Sequence, residues 1–168
     1  MKFRISSILI KNNIILEEDK EIYDYGLFVL FFNSFCLISM FFLSYFCQQI
    51  KFTIIFLLFY LPNRLIIGGY HCNSPKTCYI VFNSIFLIIL LCNKMDLFTS
   101  LSVYIISILI YIIYLMTIYN HNSKYKKIVL VISIIFIIIT RLNSSLRPSF
   151  VASILLNSCL YFISKYLK

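Results

Sequence analysis

The chain has 168 residues, 61% of them hydrophobic and 12% charged, with a formal net charge of +9. Soluble domains hold roughly 45–50% apolar residues, so this composition, with a mean hydropathy of +0.94, excludes an ordinary soluble domain and indicates an integral membrane protein. The basic residues lie scattered between hydrophobic runs and form no stripe, which argues against a nucleic-acid partner and for contacts with membrane lipids.

Residues 1 to 11 carry Lys2 and Arg4 among isoleucines, but the apolar run is about half a signal-peptide core and no small-residue cleavage site follows, so no removal is expected. The next patch, Glu17, Glu18, Asp19, Glu21 and Asp24, holds five of the six acids and precedes Gly26. Residues 1 to 24 therefore read as an amphipathic region at the cytoplasmic membrane face. Apolar runs from Leu27 to Phe46 and from Leu97 to Tyr119 each meet the about 20 residues that a helix needs to cross the hydrocarbon core. Shorter runs, Phe52 to Leu61, Cys78 to Cys92, Ile128 to Thr140 and Phe150 to Ile163, are ambiguous between thin spans and re-entrant pieces.

The expected fold is all-α, a polytopic helical membrane protein with four to six transmembrane segments, six favoured. With six crossings and an internal N-terminus, Lys2, Arg4, Lys11, Lys20, Arg64, Lys76, Lys124, Lys126, Lys127, Lys165 and Lys168 lie inside. Only Lys51, Lys94, Arg141 and Arg147 lie outside. That asymmetry satisfies the positive-inside rule and places both termini in the cytoplasm. With no repeat or Gly/Ser linker, residues 1 to 168 read as one membrane domain.

One stretch, Arg64 to Cys78, gathers the chain's unusual residues: two of three glycines (Gly68, Gly69), His71, Cys72, Pro75 and Cys78. It is read as a catalytic loop. On a continuous helix His71 and Cys78 would stand about 10 Å apart along the axis, too far for proton transfer. Pro75 forbids that helix and disfavours the helical conformation at Ser74, so the chain is expected to turn between them. Ser74 and Pro75 form a good helix start, as N-cap and first helical residue, which puts Cys78 in the first turn of the next segment. A thiol there, near Lys76, sits in positive potential that favours the thiolate. The expected chemistry is Cys78 as nucleophile, with His71 as base and then as acid toward the leaving amine.

Other readings of the same residues stay open. His71 and Cys78 also read as a structural pair. His71, Cys72 and Cys78 supply three thiol and imidazole groups, but a zinc site lacks its fourth ligand and the usual paired spacing. No metal and no cofactor is expected. Cys72 is a rival nucleophile, pointed elsewhere as the immediate neighbour of His71.

Arg64, Gly68, Gly69, His71, Ser74 and Cys78, in the order R-x3-G-G-x-H-x2-S-x3-C, resemble the signature of the accessory gene regulator protein B (AgrB) family, membrane endopeptidases of bacterial quorum sensing. Tyr25-Gly26-Leu27 resembles that family's start, and the basic loop around Lys124 to Lys127 lies at the corresponding place. The resemblance implies a cysteine endopeptidase of the bacterial cell membrane, with Cys78 and His71 catalytic and Arg64, Gly68, Gly69 and Ser74 supporting. Its substrate would be a small amphipathic pro-peptide, cleaved near its C-terminal side. A side chain of the peptide would then attack the acyl-enzyme and close a macrocycle. A homodimer is implied by the resemblance alone. Lys124, Lys126 and Lys127 read either as contacts for the pro-peptide or as topology determinants and lipid contacts. The alternative function is a non-enzymatic peptide transporter or sensor component in which His71 and Cys78 are structural.

Overall fold

The structure is a computed structural model that describes residues 4–67, 74–120 and 126–166. Among these residues there are seven α-helices and no strand. The chain divides into two compact units, Met1–Phe42 and Leu43–Lys168.

The first unit holds α1 (Arg4–Lys11), a 3-10 turn (Glu17–Asp19) and most of α2 (Lys20–Phe46). The helix α2 starts at Lys20, well before the apolar run that begins at Leu27. Glu21 in its first turn complements the helix dipole. Gly26 costs only about 1 kcal/mol against alanine, too little to interrupt so long an apolar helix. Ser34 and Ser39 sit in that helix, and each hydroxyl donates to a carbonyl of its own helix, of Leu30 and Cys36, at 2.8 Å. Such back-bonding lets a serine occupy a hydrocarbon-facing helix without an unsatisfied group.

The second unit contains the end of α2 and then α3 (Ile50–Ile67), α4 (Pro75–Lys94), α5 (Leu101–Asn120), α6 (Lys126–Leu142), a 3-10 turn (Ser144–Leu146) and α7 (Arg147–Tyr166). Each of the six apolar runs in the sequence thus becomes one of the helices α2 to α7. Among the described residues, three stretches are long and apolar enough to cross a membrane: Glu17–Phe46, Pro75–Lys94 and Ser144–Lys165. Shorter apolar helices lie at Leu101–Thr117 and Val131–Leu142.

Helices α2 and α4 end alike. Gln48 (φ 59°) and Asp96 (φ 56°) adopt the left-handed conformation, and the next amides, of Gln49 and Leu97, reach back to the Ser44 and Cys92 carbonyls at 2.8 and 3.1 Å. This closure satisfies carbonyls that the helix end would otherwise strand. The turn at Asp96 also delays α5, which starts at Leu101 and not at Leu97; Ser100 caps it by accepting the Val103 amide at 3.4 Å.

The core of this unit is aromatic: Phe59, Tyr104, Tyr111, Tyr114 and Phe150 pack with Val151 and Ile154. The outward faces of α5 and α6 are apolar as well, with Ile105, Leu109, Ile112, Val131, Ile135 and Ile138 exposed, as suits a surface bathed in lipid. Helix α7 packs closely on α3 and α5. Its stripe Ser149, Ser153 and Asn157, buried and spaced by four residues, is the small-residue seam that lets membrane helices approach. Ser149 donates to the Phe52 carbonyl at 3.2 Å and Asn157 to the Tyr60 carbonyl at 3.4 Å, so the seam ties α7 to α3 by hydrogen bonds as well.

Candidate active site

The site is built where α3 ends and α4 begins. Ser74 stands at the N-cap of α4 in an extended conformation (φ −126°, ψ 136°) with Pro75 opening the helix, and its side chain makes no capping bond. Pro75 has no amide hydrogen. The Cys78 amide donates to the Ser74 carbonyl at 3.0 Å, and the amides of Lys76 and Thr77 in that first turn have no backbone partner among the described residues. Cys78 carries a free, half-buried thiol, while Pro75, Lys76 and Thr77 beside it are exposed.

Arg64 was expected to begin the loop; it lies instead in the last turn of α3, which runs on through Pro62 to Ile67. Proline inside a helix removes one backbone bond and crowds the preceding turn. Asn63, the next residue, adds side-chain bonds of its own. Its side chain, 3% exposed, donates to the Phe59 carbonyl at 3.1 Å and accepts from the Tyr111 hydroxyl at 3.0 Å. Tyr111 also pairs with Ser133 at 2.7 Å, so one polar node joins α3, α5 and α6 beneath the site.

A regular antiparallel register runs between α3 and α4. Asn93 donates to Gln49 at 2.7 Å. Moving along α3 and back along α4 by equal steps, the Phe56 and Phe86 rings meet at 5.6 Å and the Tyr60 and Phe82 rings at 6.0 Å. One further turn on each helix sets Arg64 opposite Cys78. Tyr60 lies within electrostatic range of both the Arg64 guanidinium and the Cys78 thiol. Tyr114 lies within reach of Arg64 and Tyr60 as well, and its ring packs on Tyr111 at 5.7 Å and on Tyr161 at 5.2 Å. A buried tyrosine wall therefore backs the arginine.

Of the residues singled out in the sequence, Arg64 and Cys78 fall at matching positions of the α3 and α4 register, one turn beyond the Tyr60–Phe82 contact, and Ser74 stands at the start of α4. Gly68, Gly69, His71 and Cys72 lie outside the described residues, as does Lys124, while Lys126 and Lys127 open α6. Among the described residues no three His, Cys, Asp or Glu side chains cluster as metal ligands would. The sequence reading missed Tyr60, Asn63 and Tyr111. The matched steps of four residues on either side of the loop were the signal for Tyr60; Asn63 and Tyr111 had none, because their partners are distant in sequence.

A family model described as Accessory gene regulator B matches residues 3–165 of the chain. No curated protein and no solved structure matches it.

Proposed function

The chain belongs to the accessory gene regulator B family, whose role is quorum-sensing peptide processing, and we propose that it does so as a cysteine endopeptidase of the bacterial cell membrane. Cys78 is the nucleophile and His71 its base. The Cys78 sulfur attacks the scissile carbonyl of a small amphipathic pro-peptide, and the thiol proton passes to His71, which returns it to the departing amine. The acyl-enzyme is a thioester. When a thiol of the peptide attacks it, one thioester replaces another at nearly constant bond energy, so ring closure needs no ATP. Apolar helices around the site keep out the water that would hydrolyse the intermediate. Gly68 and Gly69 give the loop its path, Arg64 holds charge opposite the sulfur, and Lys124, Lys126 and Lys127 meet the acidic part of the peptide or lipid phosphates. Six helices cross the membrane, with both termini cytoplasmic, and two copies of the chain associate.

The observation that supports this reading most is the position of Cys78: a half-buried thiol in the first turn of α4, at the cysteine of the R-x3-G-G-x-H-x2-S-x3-C pattern. Co-expression with the small pro-peptide encoded beside its gene tests the reading. Cys78→Ala and His71→Ala are expected to abolish processing, and Cys72→Ala to retain most of it. Unchanged processing in the first two variants would leave a transporter or sensor role in place of the enzyme.

A further inference from the structure

A polar side chain in the hydrocarbon core of a membrane has no water to bond to, so it needs a partner in protein. The asparagines of α3, α4 and α7 meet that need. Asn63, Asn83 and Asn157 each donate to the carbonyl four residues back, at 3.1, 2.9 and 3.1 Å, and Asn93 donates to Gln49 at 2.7 Å. In α2, Ser34 likewise spends its hydroxyl on the Leu30 carbonyl. Its neighbour Asn33 does not follow suit: it is exposed, and among the described residues its side-chain amide forms no hydrogen bond.

Asn33 also lies deep. At the rise of a helix it stands about 9 Å past Leu27, where the apolar run opens, and about 20 Å before Phe46, too far for so short a side chain to reach either interface. Of the apolar window in Glu17–Phe46, 6% is buried, and Leu30 and Phe35 to either side of Asn33 are 61% and 57% exposed. A partner from outside the chain, at the depth of Asn33, would satisfy the amide. A second copy supplies one, because all copies insert in the same orientation. A two-fold axis along the membrane normal then sets equivalent residues at equal depth, and a residue on that axis meets itself. A carboxamide suits such self-pairing, since its oxygen accepts what its NH2 group donates. Gly26 lies seven residues earlier on the same stripe of the helix, and the space beside it is open, so two backbones can close in there. Met40, seven residues further on, is buried, which confines the open stripe to the first half of α2.

We propose that the first half of α2 is the contact between two copies of this chain, which run parallel across a two-fold axis with their Asn33 side-chain amides hydrogen-bonded to each other inside the membrane. The inference rests on the association of two copies proposed above and gives it an interface. One polar pair in an otherwise apolar seam sets which faces meet and in which register. Leu30, a turn before Asn33 on its side of the helix, packs in the seam, and Phe35, on the far side, stays in lipid.

The test is energy transfer between full-length chains carrying donor or acceptor dyes at the C-terminus, reconstituted in liposomes at increasing dilution in lipid. Asn33→Leu, close in size and without the amide, is expected to lower the association constant by about tenfold or more. Asn33→Gln keeps the amide, and Ser34→Ala removes a hydroxyl already bonded within its own helix; both are expected to stay within about threefold of wild type. In a chain with its native cysteines replaced by serine, Leu30→Cys should form a disulfide between copies under a mild oxidant, and Phe35→Cys little. Wild-type association by Asn33→Leu overturns the proposal and leaves the association of two copies standing. Equal loss in Asn33→Gln and Asn33→Leu overturns it as well, by showing a packing role, and so does equal cross-linking from positions 30 and 35. A wild-type chain that is monomeric at every dilution overturns both the interface and the association.

Discussion

The polar node under the site offers the clearest energetic test. Tyr111 is fully buried, and its hydroxyl donates to Asn63 on α3 at 3.0 Å and pairs with Ser133 on α6 at 2.7 Å. Tyr111→Phe keeps the ring and its contacts with Tyr114 and Phe150, so the loss isolates two hydrogen bonds. Interhelical bonds in membrane proteins average about 0.6 kcal/mol and reach about 1.7. Two of them, with the Asn63 oxygen left unpaired, amount to about 1–2 kcal/mol. The comparison is Tyr104→Phe, which removes a single bond to a Thr140 hydroxyl that also donates to the Phe136 and Ile137 carbonyls at 2.9 and 3.1 Å; its cost is expected below about 1 kcal/mol. Equilibrium unfolding in mixed micelles with increasing denaturing detergent measures both. A double-mutant cycle of Tyr111→Phe with Ser133→Ala should show coupling of at least about 0.5 kcal/mol. A Tyr111→Phe protein as stable as wild type, or less affected than Tyr104→Phe, would refute the view that this node holds α3, α5 and α6 together.

Three further outcomes follow from the geometry. In a background with the other cysteines replaced by serine, Arg64→Cys is expected to cross-link to Cys78 with a short bis-methanethiosulfonate, and Leu65→Cys, exposed at the next position around α3, to do so poorly; equal yields read by mass spectrometry would contradict the register between α3 and α4. Ser153→Leu inserts bulk into the seam where α7 meets α3 and is expected to destabilise by about 1–3 kcal/mol, whereas exposed Ile138→Leu should change stability by less than about 0.5; similar values for the two would contradict close packing at the seam. For the six-crossing topology, Met95→Cys and Ser145→Cys should react with a membrane-impermeant maleimide from one side and Lys76→Cys from the other; labelling of all three from the same side would contradict it.

Local chemistry was legible in the sequence wherever one residue type dictates the backbone. Pro75 after Ser74 announced the start of α4, and the structure has Ser74 in the extended N-cap conformation and Cys78 in the first turn. The six apolar runs announced six helices for a similar reason, because hydrocarbon admits few other backbones. The ends of those helices were less visible. The apolar run reads as ending at Leu61, yet α3 continues through Pro62 to Ile67, with Asn63 bonded to partners in its own helix and on α5 that no local rule contains. The seam on α7 was hidden for another reason: it is made of serines and an asparagine at four-residue spacing, not of glycines. Tyr60 was one of thirteen tyrosines, and only its pairing with Phe82 across the helix pair separates it from the rest.

The central claim is that Cys78 forms a covalent bond to the peptide it processes. Incubating the membrane-embedded chain with the pro-peptide encoded beside its gene, quenching in acid and sequencing the chain by mass spectrometry measures this directly. The expected result is the N-terminal fragment of the peptide attached to Cys78, released by hydroxylamine and absent from Cys78→Ala. An adduct on Cys72, or full processing by Cys78→Ala, would contradict the account.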